Sequence, residues 1–263
     1  MVRQRISGGA RRKWLTGAAL VAATAMPLSA QGTGNGYLFG EPSGGLTVRA
    51  GYAIARANSD FFRLSSEDLT LDKSDFNGPT VGAEVAFRVT PQLDLTLDGA
   101  WAGVNRKSHY RDFVDAEGRE IEQTTTLRRV PLTANVRAYL VPRGRSVGRL
   151  AYIPAKVVPW VGVGAGVTWY KAQQSGSFMN VALCNELQTD AACAVYDDTF
   201  ASSGWGPTLQ GMGGVDFTLT PRIALTGDAR YLWSSASMNE SFEGYDKIDL
   251  SGVSIALGLT FRL

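Results

Sequence analysis

The sequence predicts an all-β fold, an eight-stranded antiparallel up-and-down β-barrel that spans a membrane. Eight segments alternate apolar residues with small or polar ones at a period of two, which is typical of strands with one apolar face. The connections between these segments alternate in length, so all the long ones lie at one end of the barrel. With 30 glycines, 10% aromatic and only 19% charged residues, the composition suits strands that face lipid on one side.

The first thirty residues predict a signal peptide, 1–30. All five of its Lys and Arg residues lie within the first 13 positions, an apolar run covers 14–26, and Ala30 is a small residue suited to cleavage. The segment holds five of the 26 Lys and Arg residues and none of the 24 Asp and Glu residues, so the remaining chain carries a net charge of −3. The overall basicity therefore belongs to the signal and gives no support for nucleic-acid binding.

The remainder divides into a short segment and a barrel. Residues 31–44 are rich in glycine and show no periodicity, so we expect an irregular N-terminal segment there. Residues 45–263 are expected to form the barrel, and several segments reach the roughly 9–11 residues that a tilted strand needs to cross a membrane. The eight strands are predicted at 46–54, 81–89, 93–101, 130–140, 161–169, 209–219, 223–233 and 253–263.

The connections set the strand order. Short turns at Pro91 and Pro221 each join two neighbouring strands, since proline presets the backbone of such a turn. The long polar connections are predicted at 57–76, 105–123, 171–203 and 234–248, with one of medium length at 141–156. A ten-stranded barrel is the alternative, in which 171–203 contains a further membrane-spanning hairpin.

Alternation alone does not say which face is buried, because the apolar face also suits the core of a secreted β-sandwich. Aromatic residues cluster at the strand ends, where interfacial girdles lie, and this favours the membrane barrel. The other face carries charges of both signs, which we expect to pair across a narrow lumen because unpaired buried charges are costly. The predicted lumen charge network comprises Arg49, Glu84, Arg88, Asp94, Asp98, Arg137, Asp216, Asp228, Arg230 and Arg262.

Several segments carry a resemblance to a known family. Residues 130–137, 159–167, 204–206, 213–217 and 228–231 are similar to segments of the OmpA/OmpW-like superfamily, the small outer-membrane β-barrels of Gram-negative bacteria, with the outer membrane protein beta-barrel domain. The resemblance implies a location in the cell outer membrane, reached through the periplasm.

The resemblance also implies a role for the last strand in assembly. It implies that Gly258, Phe261 and Leu263 form the signal that the barrel-assembly machinery reads. The final Leu departs from the Phe that is usual in the family.

Two cysteines and one histidine are the candidates for covalent or catalytic chemistry. We expect Cys184 and Cys193 to form a disulfide, because the chain passes through an oxidising compartment. The sole histidine, His109, follows Ser108, and this invites comparison with barrels that modify lipid A. Adjacent strand residues point to opposite faces, so these two cannot act as a base and its nucleophile. The sequence therefore predicts no catalytic, cofactor or metal site.

The expected function is that of a non-enzymatic integral outer-membrane protein. By family resemblance it is a narrow conduit for small or hydrophobic molecules or an envelope-integrity protein, and a filled eight-stranded lumen argues against a wide porin. The alternatives are a surface interaction or adhesion protein acting through its long extracellular loops and, third, a lipid A-modifying enzyme. The expected partners are outer-membrane lipid, lipopolysaccharide and the assembly machinery, without nucleic acid; we expect a monomer, with an oligomer as the alternative.

Overall fold

The computed structural model describes residues 36–115, 118–148, 150–179 and 194–263, and everything below refers to these. Helix α1 spans Asp60–Asp68, and two 3₁₀ helices span Lys73–Phe76 and Glu240–Phe242. No described helix is both long and apolar enough to cross a membrane. The strands are β1 Leu38–Phe39, β2 Gly44–Ala55, β3 Gly78–Arg88, β4 Leu93–Val114, β5 Glu120–Tyr139, β6 Gly144–Val147, β7 Ala151–Pro154, β8 Val157–Phe178, β9 Tyr196–Thr218, β10 Ile223–Ala236, β11 Ile248–Asp249 and β12 Gly252–Arg262.

Eight of these strands close into one antiparallel ring, which confirms the predicted barrel. The order around the ring is β2, β3, β4, β5, β8, β9, β10 and β12. The last strand returns to the first, in a register that runs from Gly252 opposite Ala55 to Arg262 opposite Gly45. Because the ring closes with eight strands, it has no open edge in lipid and the ten-stranded alternative is wrong.

The two faces of the barrel wall have opposite character. The outer face carries exposed apolar side chains such as Val48, Leu97 and Ile255. The inner face at the same level carries buried charges such as Glu84 and Arg137. An apolar exterior around a polar interior is the arrangement that a hydrocarbon surround requires.

Four neighbouring strands of the ring continue well beyond the apolar band. β4 runs to Val114, so the prediction of a polar loop at 105–123 is wrong over much of its length. β8 runs to Phe178 and pairs with β9 to that point, so the described ends of 171–203 form a hairpin extension of the barrel. This is one of the two conformations expected for the segment, the other being a fold over the barrel mouth. The reason is a change of the inward face: past the band, large apolar side chains lie among the inward residues together with polar ones such as Gln123, while the outward residues meet water. On β5, for example, inward positions change from Arg137 to Leu127.

A folded cap fills the space enclosed by these extensions. The cap consists of residues 56–77 and 237–251, packed on the inner faces of the extended ends of β4, β5, β8 and β9. Its core is largely aromatic and aliphatic, and Phe62 is fully buried. The main buried side chains are Phe61, Phe62, Leu71, Phe76, Tyr110, Ile121, Leu127, Tyr170, Phe242, Ile248 and Leu250. The burial of so many large apolar side chains stabilises the cap, so the long-loop end of the barrel is a folded and well-packed structure.

The short-turn end carries a small sheet of its own. β6 and β7 form a hairpin inside the connection predicted at 141–156, and β1 adds to its edge with Leu38 opposite Tyr152. The segment 31–44, predicted to be irregular, therefore contains one short strand, and β2 begins at Gly44, one residue before the predicted barrel. Beneath this sheet, Trp160 is buried in a second apolar cluster.

Candidate functional site

The centre of the lumen is occupied by a cluster of buried ion pairs around one arginine of β10. Arg230 lies 3.1 Å from Glu84 of β3, 3.1 Å from Asp98 of β4 and 2.7 Å from Asp228 on its own strand. Its side chain thus reaches across the barrel to the opposite wall. One cation therefore links three buried carboxylates inside the barrel.

Two further arginines complete this cluster. Arg49 of β2 donates to Asp98 at 2.8 Å, and Arg137 of β5 pairs with Glu84. We call the six residues Arg49, Glu84, Asp98, Arg137, Asp228 and Arg230 the lumen plug. The plug contains three arginines and three carboxylates, so it is electrically balanced, as a buried network must be to persist.

The other residues of the predicted network lie nearer the short-turn end and have different partners. Asp94 accepts from Arg143 at 2.8 and 3.0 Å and from the hydroxyl of Tyr139 at 3.0 Å. Arg88 pairs with Glu41 at 3.0 Å. Neither Arg143 nor Glu41 lies in a predicted strand, so neither was predicted as a partner.

The last two predicted members are held by neutral groups. Asp216 accepts hydrogen bonds from the indole of Trp160 at 3.2 Å and the hydroxyl of Thr226 at 2.8 Å. Arg262 donates to the hydroxyl of Thr218 at 2.7 Å. The ten residues are therefore all involved in contacts, but they form one central cluster and several separate pairs.

Little space remains around the plug. A cavity of about 60 Å³ lies between the plug and the cap, and one of about 50 Å³ lies toward the short-turn end. Each has room for a few water molecules and is far smaller than the roughly 300 Å³ or more of a small-molecule site.

A larger cavity, which the sequence pattern did not predict, opens in the cap. This cap pocket has a volume of about 330 Å³ and is bounded by α1, the 3₁₀ helix Glu240–Phe242 and the extended strands. Its walls are aromatic and amide-bearing, with one charged side chain among them. The lining residues are Phe61, Leu64, Ser65, Asp68, Leu69, Tyr110, Gln123, Gln174, Phe178, Met179, Tyr196, Phe200, Ser241, Phe242 and Tyr245.

Five rings make a continuous wall of the cap pocket. Phe178 stacks at a tilt against Tyr196, with ring centroids 6.3 Å apart, and meets Phe200 edge-on at 4.8 Å. Phe200 in turn lies 6.5 Å from Phe242, which lies 5.5 Å from Tyr245. These rings come from β8, β9 and the segment 237–251, so they meet only in the folded chain.

Asp68, at the end of α1, is the charged residue of the pocket. In the described chain its carboxylate has no ion-pair partner, and burial raises its pKa, with the nearby charge of Glu67 adding to the effect. Burial also raises the pKa of Tyr110 and Tyr245, and the charge of Asp68 contributes to both shifts. A cation in the pocket would therefore relieve an unfavourable local potential.

The histidine and serine considered for catalysis do not form a pair. Ser108 is buried on the inner face of β4, whereas His109 lies half-exposed on the outer face. His109 Nδ1 lies 3.4 Å from a carboxylate oxygen of Glu120, which is itself largely exposed. His109 therefore makes a contact at the surface, and the hydroxyl of Ser108 on the same strand lies on the opposite face.

The remaining predicted residues are placed as follows. Gly258 and Phe261 lie on β12, with Phe261 on the outer face opposite Leu46 of β2, and Leu263 follows the strand. Cys184 and Cys193 lie outside the described residues. Within the described ranges, no group of three or more His, Cys, Asp or Glu side chains is arranged to hold a metal ion.

Comparison with known proteins gives one family and several similar solved structures. The family model of the outer membrane protein beta-barrel domain matches residues 16–261. OprG from Pseudomonas aeruginosa is 14% identical, with a TM-score of 0.46 over 86% of this chain and 99% of its own. Neisserial surface protein A is 11% identical, with a TM-score of 0.43 over 84% and 97%. Outer membrane protein W of E. coli is 17% identical, with a TM-score of 0.38 over 85% and 100%. No curated protein sequence matches.

Proposed function

The chain belongs to the outer membrane protein beta-barrel domain family, and on that premise we propose that it is a non-enzymatic outer-membrane protein that acts by binding at its extracellular cap. Long loops face outward in such barrels, so the cap would lie outside the cell. The barrel would serve as its anchor.

The observation that carries this proposal is the blockage of the lumen at two levels. The lumen plug crosses the barrel centre, and the packed core of the cap lies above it. A solute could pass only if buried ion pairs separated and large apolar side chains left their core. Each of these steps is costly, and together they disfavour the narrow conduit that the family resemblance suggested.

The cap also has the properties of a binding surface. It is built from long strand extensions and packed helices, so its shape is fixed before any partner arrives, which lowers the entropy lost on binding. It carries an open pocket with aromatic walls and few charges, the usual composition of a small-molecule site. A role in envelope integrity alone would need neither feature.

The enzyme alternative receives less support. Catalysis by His109 would require a nucleophile within hydrogen-bond reach, and its described partner is the carboxylate of Glu120. The pocket lies on the inner side of the extended strands, while His109 lies on the outer side.

The test is a retention assay. The chain is refolded into labelled vesicles, which are passed over beads bearing quaternary ammonium, sulfonate, carboxylate, alkyl or neutral sugar groups. We expect retention on at least one surface, lost when residues 60–76 are replaced by a short Gly-Ser linker. Replacing the β6–β7 hairpin, 144–154, at the opposite end is the matched control and should leave retention intact. Retention on none of the surfaces would contradict the proposal.

A further inference from the structure

We infer that the cap pocket binds an organic ammonium ion. Asp68 and the aromatic wall hold its cationic head, and its apolar body contacts the floor of the pocket. This inference rests on the proposed function, since it names the ligand class of the same extracellular cap. Four features of the pocket argue for it.

The first feature is the aromatic wall. The faces of Tyr and Phe rings carry negative electrostatic potential, and several rings around one space form a cage for cations that are poorly hydrated. The wall from Tyr196 through Phe178, Phe200 and Phe242 to Tyr245 is continuous, with each centroid within 6.5 Å of the next. Tyr196 and Tyr245, at its two ends, are also partly exposed to solvent. A cation can therefore reach the rings without unfolding the cap.

The second feature is the single carboxylate. Asp68 is the one charged side chain among the described residues that line the pocket, and it has no cationic partner among them. The neighbouring carboxylates Asp60 and Glu67 differ, because both pair with Arg63 at 2.9 Å. The charge of Arg63 acts on Asp68 from a distance and partly offsets the rise of its pKa, but the two form no ion pair. A half-buried carboxylate without an ion-pair partner gains more from an arriving cation than a solvated one does.

The third feature is the charge of the surroundings. The described segments 60–68, 194–200 and 237–249, which form one side of the pocket, contain nine Asp and Glu residues against two Lys and Arg residues. The strand extensions 105–115, 118–128 and 171–179, which form the other side, contain four and six, so acidic residues predominate by 13 to eight. A field of this sign raises the local concentration of cations and repels anions. An anionic ligand such as a sulfated sugar is therefore disfavoured.

The fourth feature is the size and floor of the pocket. A volume of about 330 Å³ exceeds what a metal ion or ammonium needs, and the deep side is formed by buried Phe61 and Met179. Gln123 and Gln174 offer amide groups on another wall. The pocket therefore suits an amine with an apolar body, and a bare inorganic cation would leave most of it unfilled.

The test compares choline with its neutral isostere, 3,3-dimethylbutan-1-ol. Binding to the full refolded barrel is followed by ligand-observed NMR in a maltoside detergent, because phosphocholine detergents carry the ligand chemistry themselves. We expect choline to bind at least about tenfold more tightly than the isostere, the ratio that one cation–π and ion contact supplies. Asp68→Asn should weaken choline binding about tenfold, and Tyr245→Leu should weaken it severalfold. Glu67→Gln, one residue away and outside the pocket, is the control and should change it less than about twofold.

Each result decides the matter. Equal binding of choline and the isostere, or an unchanged affinity in Asp68→Asn, would overturn the inference. If Asp68→Asn fails to refold, unchanged affinity in Tyr245→Leu would do the same. Retention of the vesicles on a non-cationic surface without choline binding would leave the proposed function standing and remove the ammonium site. Absence of retention on every surface would remove both.

Discussion

The lumen plug makes a quantitative prediction about Arg230. Replacing it with Met removes contacts of 2.7, 3.1 and 3.1 Å to Asp228, Glu84 and Asp98. Glu84 keeps Arg137 and Asp98 keeps Arg49, whereas Asp228 loses its one ion-pair partner in the described chain. The variant therefore leaves one uncompensated buried carboxylate, which costs about 3–5 kcal/mol of unfolding free energy.

The measurement is urea unfolding of the barrel in lipid vesicles, followed by tryptophan fluorescence. Combining Arg230→Met with Asp228→Asn should recover about 1–3 kcal/mol, because a neutral amide is less costly to bury than a carboxylate. Arg56→Met is the matched control: its pair with Asp249 spans 3.9 Å and its side chain is exposed, so the loss should stay below about 1 kcal/mol. If Arg230→Met costs no more than Arg56→Met, the plug does not hold the barrel together.

Three further predictions concern other parts of the barrel. A Cβ at Gly51 would lie 2.0 Å from the carbonyl oxygen of Ile255, so Gly51→Ala should cost about 1–3 kcal/mol in the same urea assay. A Cβ at Gly213 would make only ordinary van der Waals contacts, the nearest at 3.7 Å to the carbonyl oxygen of Trp160, and Gly213→Ala should be neutral in that assay. Phe261→Ala should lower the amount of protein assembled in cell outer membranes while refolding into vesicles proceeds normally. Reduced refolding in vitro would instead indicate a purely structural role for that side chain. His109→Ala should leave the lipid A of expressing cells unchanged by mass spectrometry, and a change in acyl number would establish an enzyme.

The membrane part of the fold could be predicted from the sequence because lipid imposes a strict rule. Every strand there must alternate, apolar outward and polar inward, and the eight segments do so. The closing pair of strands follows from the same requirement, since an open edge in lipid is not tolerated. Charged inward positions such as Glu84 and Arg230 could be recognised, but their partners could not, because pairing depends on the register across the lumen.

The cap could not be predicted because the rule no longer holds above the membrane. Leu127 points inward like Arg137, although one is apolar and the other charged, so the period-two pattern is interrupted and predicts the end of the strand. The cap pocket needs residues from connections far apart in sequence, among them Asp68 and Tyr245. The one available signal was the aromatic content of the predicted polar connections, as in Phe61-Phe62 and Phe242.

The central claim is that the lumen is closed and that the protein acts at its cap. Single-channel recording of the refolded barrel in planar bilayers tests it most directly, with Arg230→Met as a comparison in which the plug is weakened. We expect no conductance steps from the wild-type chain, and brief openings at most from the variant. Steady conductance from the wild-type chain would contradict the claim and restore the conduit.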